Sequence, residues 1–192
     1  MVTPDDYPVL FFATQKAWTD WLEDNHARAN GVWLKFAKKA SGVLSVNYAE
    51  SLEVALCYGW IDGQSKSFDE TYYLQKFTPR RPKSMWSKVN VGKVEALIAQ
   101  GKMKPAGQAA IDAAKADGRW EQAYDSPSSS LAPDDLIAAL DRHPKAKAFY
   151  ATLNKTNTYA IIWRLQTAKK PETRAHRLTQ IIAMLEEEKS FH

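Results

Sequence analysis

Apolar positions recur at helical spacing between Thr14 and His26. Trp18, Trp21 and Leu22 share one face there, and Thr14 stands where an N-cap belongs. Asn30-Gly31 breaks that period. Val32-Trp-Leu-Lys-Phe-Ala37 follows, a branched and aromatic run that predicts a strand. Lys38–Gly42 reads as a turn. Asn47 opens a second helix, Tyr48–Tyr58, with Leu52, Ala55 and Leu56 as its stripe and Gly59 as its stop. Trp60–Gln64 and Tyr72–Phe77 then predict two strands, paired antiparallel across a polar segment holding Asp69 and Glu70.

The period changes after Phe77. Thr78-Pro-Arg-Arg-Pro-Lys83 is extended, because each proline moves its predecessor out of the helical region. Ser84–Asn90 leads into a helix, with Asn90 able to cap Val91–Gln100 and Gly101 to stop it. Pro105–Asp117 is an alanine-rich helix ended by Gly118. Ser126–Pro133 is the linker-like stretch. Four helices follow: Asp134–Asp141, Pro144–Leu153, Asn157–Ala168 and Thr173–Glu188, with Pro171 at the last break. The expected fold class is therefore α+β. A small antiparallel sheet is covered by helices and followed by a largely α-helical C-terminal half. The expected domains are 1–125 and 134–192, able to pack as one unit.

Composition narrows the class. Of 192 residues, 45% are hydrophobic and 25% charged, and seven are Trp, enough to bury a core and to exclude wholesale disorder. The net charge of +4 permits an anionic partner without requiring one. Cys57 is the only cysteine, so no intrachain disulfide or thiolate cluster forms and a reducing compartment is expected. It lies near a helix C-terminus, which disfavours the thiolate, and reads as a buried, inert thiol. Asp5 and Asp6 stand where a signal peptide has Lys or Arg, and no stretch reaches the ~20 apolar residues of a membrane span. A cytoplasmic protein without membrane insertion is the expectation.

The chemistry concentrates in residues 58–88. Asp62 precedes Gly63 at a predicted strand end. It can accept a ligand's hydrogen bond or act as a general base, or simply close an Asx turn. Between Lys76 and Lys104 stand eight Lys or Arg and one acid, Glu95. Arg80 and Arg81 lie between prolines on a stiff backbone suited to gripping phosphate or carboxylate. Tyr72, Tyr73, Phe77 and Trp86 lie around them, and aromatics beside cations suit stacking or cation–π contacts. The same run can also be a solvated basic edge that blunts an exposed strand. Arg174 and Arg177 share a helix face and read as its solvated side. The four histidines have no metal-site spacing, and no Gly-rich phosphate loop is present. Neither a metal, a cofactor nor a catalytic residue is assigned.

Four separated stretches carry a family resemblance: Gly31-Val-Trp-Leu-Lys-Phe-Ala-Lys-Lys39, Tyr48–Gln64, Phe77–Asn90 and Ala168–Arg177. In this order they resemble the bacterial YdeI/OmpD-associated family, also labelled bacteriocin-protection, from about residue 10 onward. The resemblance implies a C-terminal domain of that type and a link to bacteriocin or antimicrobial-peptide resistance. It implies no reaction and no cofactor. Its motif residues mark an expected ligand site at Trp60, Asp62, Lys66, Tyr73, Phe77, Arg80, Arg81, Trp86 and Lys88. Three readings stand. The first is a cytoplasmic binding protein for an anionic small ligand. The second is a nucleic-acid binder using the basic Lys76–Lys104 surface. The third is an enzyme with Asp62 as general base. A protein partner for the helical C-terminal half also fits.

Overall fold

Thr14 caps the first helix as its position predicts, its hydroxyl accepting from the Ala17 amide at 3.2 Å. The computed structural model describes residues 6–192, so Asp5 lies outside it. Helix α1 (Gln15–Asn25) is followed by strand β2 (Val32–Ala37) and helix α2 (Tyr48–Cys57). Asn47 and Glu50 close a reciprocal capping box at the start of α2. Strands β3 (Trp60–Ser67) and β4 (Tyr72–Pro79) form the antiparallel hairpin. A short strand β1 (Val9–Phe11) adds to the other edge, parallel to β2. The sheet order is β1-β2-β4-β3. The predicted sheet is thus present, extended by a parallel edge strand that three residues were too few to announce.

Two units divide the chain, one of residues 1–84 and 90–121, the other of 85–89 and 122–192. The first holds the sheet with α1, α2, most of α3 (Lys88–Ala99) and α4 (Pro105–Ala116). Its core is aromatic. Trp18 and Trp60 meet edge to face, Trp18 lies 5.8 Å from Phe77, and all three are at most 1% exposed. Burying an indole requires a partner for its N–H. Trp18 donates to the Ser51 carbonyl and Trp60 to the His26 carbonyl, each at 3.1 Å. Gly59 (φ +73°) turns the chain from α2 into β3, and a Cβ there would also lie 2.8 Å from the Ala106 carbonyl oxygen.

The second unit is helical: α5 (Asp134–Arg142), α6 (Pro144–Thr152), α7 (Lys155–Gln166) and α8 (Pro171–Glu186). Leu136, Leu140, Ile161, Leu165, Ile181 and Leu185 form its core, each contributing about 1.5–3 kcal/mol by burial. Met85–Val89 belongs here rather than with the sheet. Ser87 bridges Tyr124, Tyr124 donates to the Trp86 carbonyl at 3.0 Å, and Lys88 donates back at 2.9 Å. Among the described residues, no helix is long and apolar enough to cross a membrane.

Candidate functional site

Register decides which side chains of residues 58–88 can meet. Directly opposed residues of an antiparallel pair share a face. Asp62 opposes Phe77 and Trp60 opposes Pro79, so Asp62 lies on the α1/α2 side of the sheet. Between Asp62 and Ser65 the register slips by one residue, a bulge at Gly63-Gln64. Gln75, 6% exposed, holds it by donating to the Gly63 carbonyl at 2.7 Å. The slip turns Lys66 to the opposite face, where its ammonium sits 4.2 Å from the Trp33 ring centroid.

The expected site residues are therefore dispersed. Trp60 and Phe77 are core side chains, at 1% and 0% exposure, and support the strands from within. Arg80 is anchored by its backbone, which donates to the Gly59 carbonyl at 2.9 Å. Arg81 is exposed beside Ser84, whose hydroxyl accepts from the Arg81 amide. Trp86, at 1% exposure, and Lys88 belong to the second unit. Lys88 is ion-paired there with Asp125 at 2.8 Å, and that ammonium draws the Asp125 carboxyl below its ordinary range.

Asp62 and Tyr73 are related through Tyr48, which lies near both at the edge of the sheet. The Tyr48 hydroxyl, on the first residue of α2, donates to Asp62 Oδ2 at 2.8 Å. Tyr73 stacks on Phe36 with ring centroids 5.3 Å apart. Beside them opens a concavity of about 440 Å³, walled by Phe36, Val46, Tyr48 and Tyr73 and rimmed by Lys38, Lys39 and Asn47. Burial raises the Tyr73 phenol, and burial together with the Asp62 carboxylate raises that of Tyr48, so both stay neutral. Tyr48 spends its proton on Asp62 and presents lone pairs. The Tyr73 hydroxyl has no protein partner among the described residues and can donate. Lys39 is exposed, and Lys38 donates to the Asp69 carbonyl at 2.7 Å. The arrangement offers a flat aromatic wall, one phenol donor and two cations to a small ligand. Sequence reasoning missed Tyr48, Lys38 and Lys39 as site residues, since 14 positions separate Tyr48 from Asp62 and no spacing rule links them.

A larger concavity, about 570 Å³, lies between α1, α2 and the α3–α4 connection, over Val54, Cys57, Leu97 and Met103. Its nearest charges are already matched. Glu23 accepts the Tyr58 hydroxyl and pairs with Lys104 at 3.1 Å. Cys57 is 6% exposed and burial pushes its thiol up, which fits the inert reading. We take the sheet-edge concavity as the candidate site, because its donors and cations are less spoken for.

Residues 10–110 match the model of a family described as a domain of unknown function, DUF8412, over more than half of the chain. The chain belongs to that family. The sheet-edge concavity and three of the four motifs quoted above lie wholly inside this match. Residues 132–188 match a second family model, described as bacteriocin-protection, YdeI or OmpD-associated. The YdeI/OmpD-associated resemblance is thus carried by the C-terminal part, while DUF8412 takes the N-terminal motifs. No curated protein and no solved structure matches the chain.

Proposed function

We propose that this DUF8412 protein is a cytoplasmic binding protein for a small anionic ligand, taken at the edge of its sheet. The observation that carries the reading is the 440 Å³ concavity lined by Tyr48 and Tyr73 and rimmed by Lys38 and Lys39, with Asp62 holding the Tyr48 hydroxyl. Lys38 and Lys39 take the part first expected of Arg80 and Arg81. Asp62 holds Tyr48 in place, a positioning use that needs no proton transfer. The description of the family matching residues 132–188 supports a role in protection against bacteriocins.

The test is a thermal-shift screen at low and high salt against nucleotides, sugar phosphates and small carboxylates. A ligand at ~100 times its dissociation constant adds about 2.7 kcal/mol of stability. The gain is expected to persist in salt and to fall in both Tyr73→Phe and Lys39→Gln. A hit that both variants retain in full places the ligand elsewhere and overturns this reading.

A second reading rests on the sheet face turned away from α1 and α2. Lys35 lies over Tyr72 at 4.4 Å and near Phe11 and Phe68; Lys66 and Lys76 lie over Trp33 at 4.2 and 5.7 Å. Cations interleaved with aromatics suit a single-stranded nucleic acid, with the exposed Phe11 and Phe68 rings rather than the buried Trp33 as the stacking surfaces. Three phosphate contacts predict a log–log salt slope near −2, measured by anisotropy on a labelled oligonucleotide and lowered in Lys66→Gln.

A further inference from the structure

The helical unit has a concavity of its own, about 520 Å³, lined by Trp163, Arg164, Arg177, Gln180, Met184 and Phe191 among others. Its cations are unusual in how they are held. Arg164 lies flat on Phe191, with the guanidinium carbon 3.7 Å from the ring centroid, and donates through Nη1 to the Ala160 carbonyl at 3.1 Å. Arg177 donates through Nη1 to the Arg164 carbonyl at 2.6 Å and to the Thr167 hydroxyl at 3.4 Å. Both are therefore fixed by neutral oxygens. The arginine of this unit that is held by a carboxylate is Arg174, bonded twice to Asp135. Among the described residues, no ion pair engages Arg164 or Arg177, and their Nε and Nη2 groups have no protein acceptor.

Two guanidinium charges thus line one partly apolar cavity, neither of them in an ion pair. The C-terminus of α7 contributes about half a negative charge, which Arg177 caps, so the local balance stays positive. The surroundings are rigid. Trp163 is braced edge to face by Tyr124, and Phe191 sits on a tail whose His192 backbone is gripped from both sides by buried Asn157, at 2.9 and 3.2 Å. Arginines fixed before a ligand arrives lose little entropy on binding it, and their free edges match an oxyanion bidentately. Trp163, Met184 and Ile181 offer the apolar contact for whatever carries that oxyanion.

We propose that this cavity binds a small organic anion, an oxyanion carried on a planar or branched apolar body, read by Arg164 and Arg177 at one end and by Trp163 and Met184 along the other. Carboxylate and phosphate heads share this chemistry. The site is independent of the sheet-edge concavity, and sequence patterning had placed Arg177 on a solvated face.

Isothermal titration of the full chain tests it with four probes: indole-3-acetate, phenyl phosphate, inorganic phosphate and the neutral alcohol tryptophol. Binding is expected for one or both organic anions, and whichever binds names the head group. It should weaken roughly tenfold or more for inorganic phosphate and tryptophol, and likewise in Arg164→Gln. Arg177 caps a helix, so Arg164→Gln is the deciding variant, with its circular-dichroism melt as the folding control. If that variant unfolds, the Trp163 indole N–H resonance of the parent must shift on adding the anion. Tyr73→Phe should leave this binding unchanged, which separates it from the sheet-edge site. Equal affinity for tryptophol, unaltered binding in a folded Arg164→Gln, or no binding by either organic anion at millimolar concentration overturns the proposal.

Discussion

Two glycines, both inside helices of the first unit, should respond to the same substitution with opposite signs. Gly92 in α3 has open space around it: a Cβ there would meet nothing within 4 Å. Gly92→Ala therefore gains helix propensity alone, about 0.5–1 kcal/mol. Gly107 in α4 is buried against the end of α2. A Cβ there would lie 2.2 Å from the Cys57 carbonyl oxygen and 2.6 Å from Met103 Sδ. The thioether can swing away. The carbonyl cannot move freely, because it accepts the Lys104 amide at 3.2 Å and so ties α2 to the entrance of α4. Reaching an ordinary contact needs a shift of about an ångström, and overpacking of that kind costs about 1–3 kcal/mol. Less the propensity gain, Gly107→Ala should lose up to about 2 kcal/mol and stand about 1–3 kcal/mol below Gly92→Ala. Urea unfolding followed by tryptophan fluorescence is the assay, since Trp18, Trp21, Trp33, Trp60 and Trp120 all report on this unit. At this size the gap between variants also amounts to several degrees in Tm. A Gly107→Ala protein as stable as the parent would refute the close α2–α4 approach.

Other expectations follow from single contacts. Arg174 holds the Asp135 carboxyl below its ordinary value of 3.8 through two bonds of 2.7 and 2.8 Å. A depressed native pKa stabilises above that value and is lost as pH falls through the lower one. Both side chains are about one-third exposed, so the contribution is screened to roughly 1 kcal/mol. Asp135→Asn should therefore melt below the parent at pH 7, and the difference should shrink as pH falls below 3.8. Cys57 should resist iodoacetamide in the native protein at pH 8 and react once urea unfolds the first unit, as mass spectrometry would record; prompt native labelling contradicts its burial. Asn157→Ala should cost about 1–2 kcal/mol and speed amide exchange at His192, and unchanged exchange would show that the tail is held by something else.

Most elements were legible because their local signals agree with their burial. Thr14 and Asn47 cap where the pattern says, and Gly59 and Gly101 stop what precedes them. The shifted boundaries have local causes. Asn154 and Asn157 are both good caps; Asn154 takes the role, and Asn157 is drawn inside α7 to bind the tail. Pro171 is the first residue of α8 rather than the break before it, because proline at that position lacks only an amide the helix would leave unpaired anyway. Asn90 sits within α3, whose first turn is organised by the Ser87–Tyr124 bridge, a contact 37 residues away that no local pattern contains.

The candidate site was less legible because its geometry hangs on one inserted residue. In a regular strand Asp62 and Lys66 share a face, and a cation and a carboxylate beside Trp60 would read as one site. The bulge at Gly63-Gln64 reverses that parity. It leaves Asp62 with Tyr48 and sends Lys66 over Trp33. The signal was present, since a glycine inside a strand pattern is a bulge marker, but an Asp-Gly pair also marks a turn, and the two readings predict different faces for everything downstream. That Arg80 and Arg81 do not line this concavity has another cause. Prolines at 79 and 82 do stiff the backbone, yet stiffness fixes where the chain runs and not what it faces. Lys38 and Lys39, in a turn that sequence treats as mere punctuation, are delivered to the concavity by the strand before them and the helix after. Deleting Gln64 should remove the extra residue and leave Asp62 opposite Phe77 and Lys66 opposite Leu74, so that the ladder becomes regular and Lys66 stays over Trp33. If Lys66 loses the Trp33 ring in that variant, as judged by nuclear Overhauser contacts, the extra residue does not lie at Gly63-Gln64.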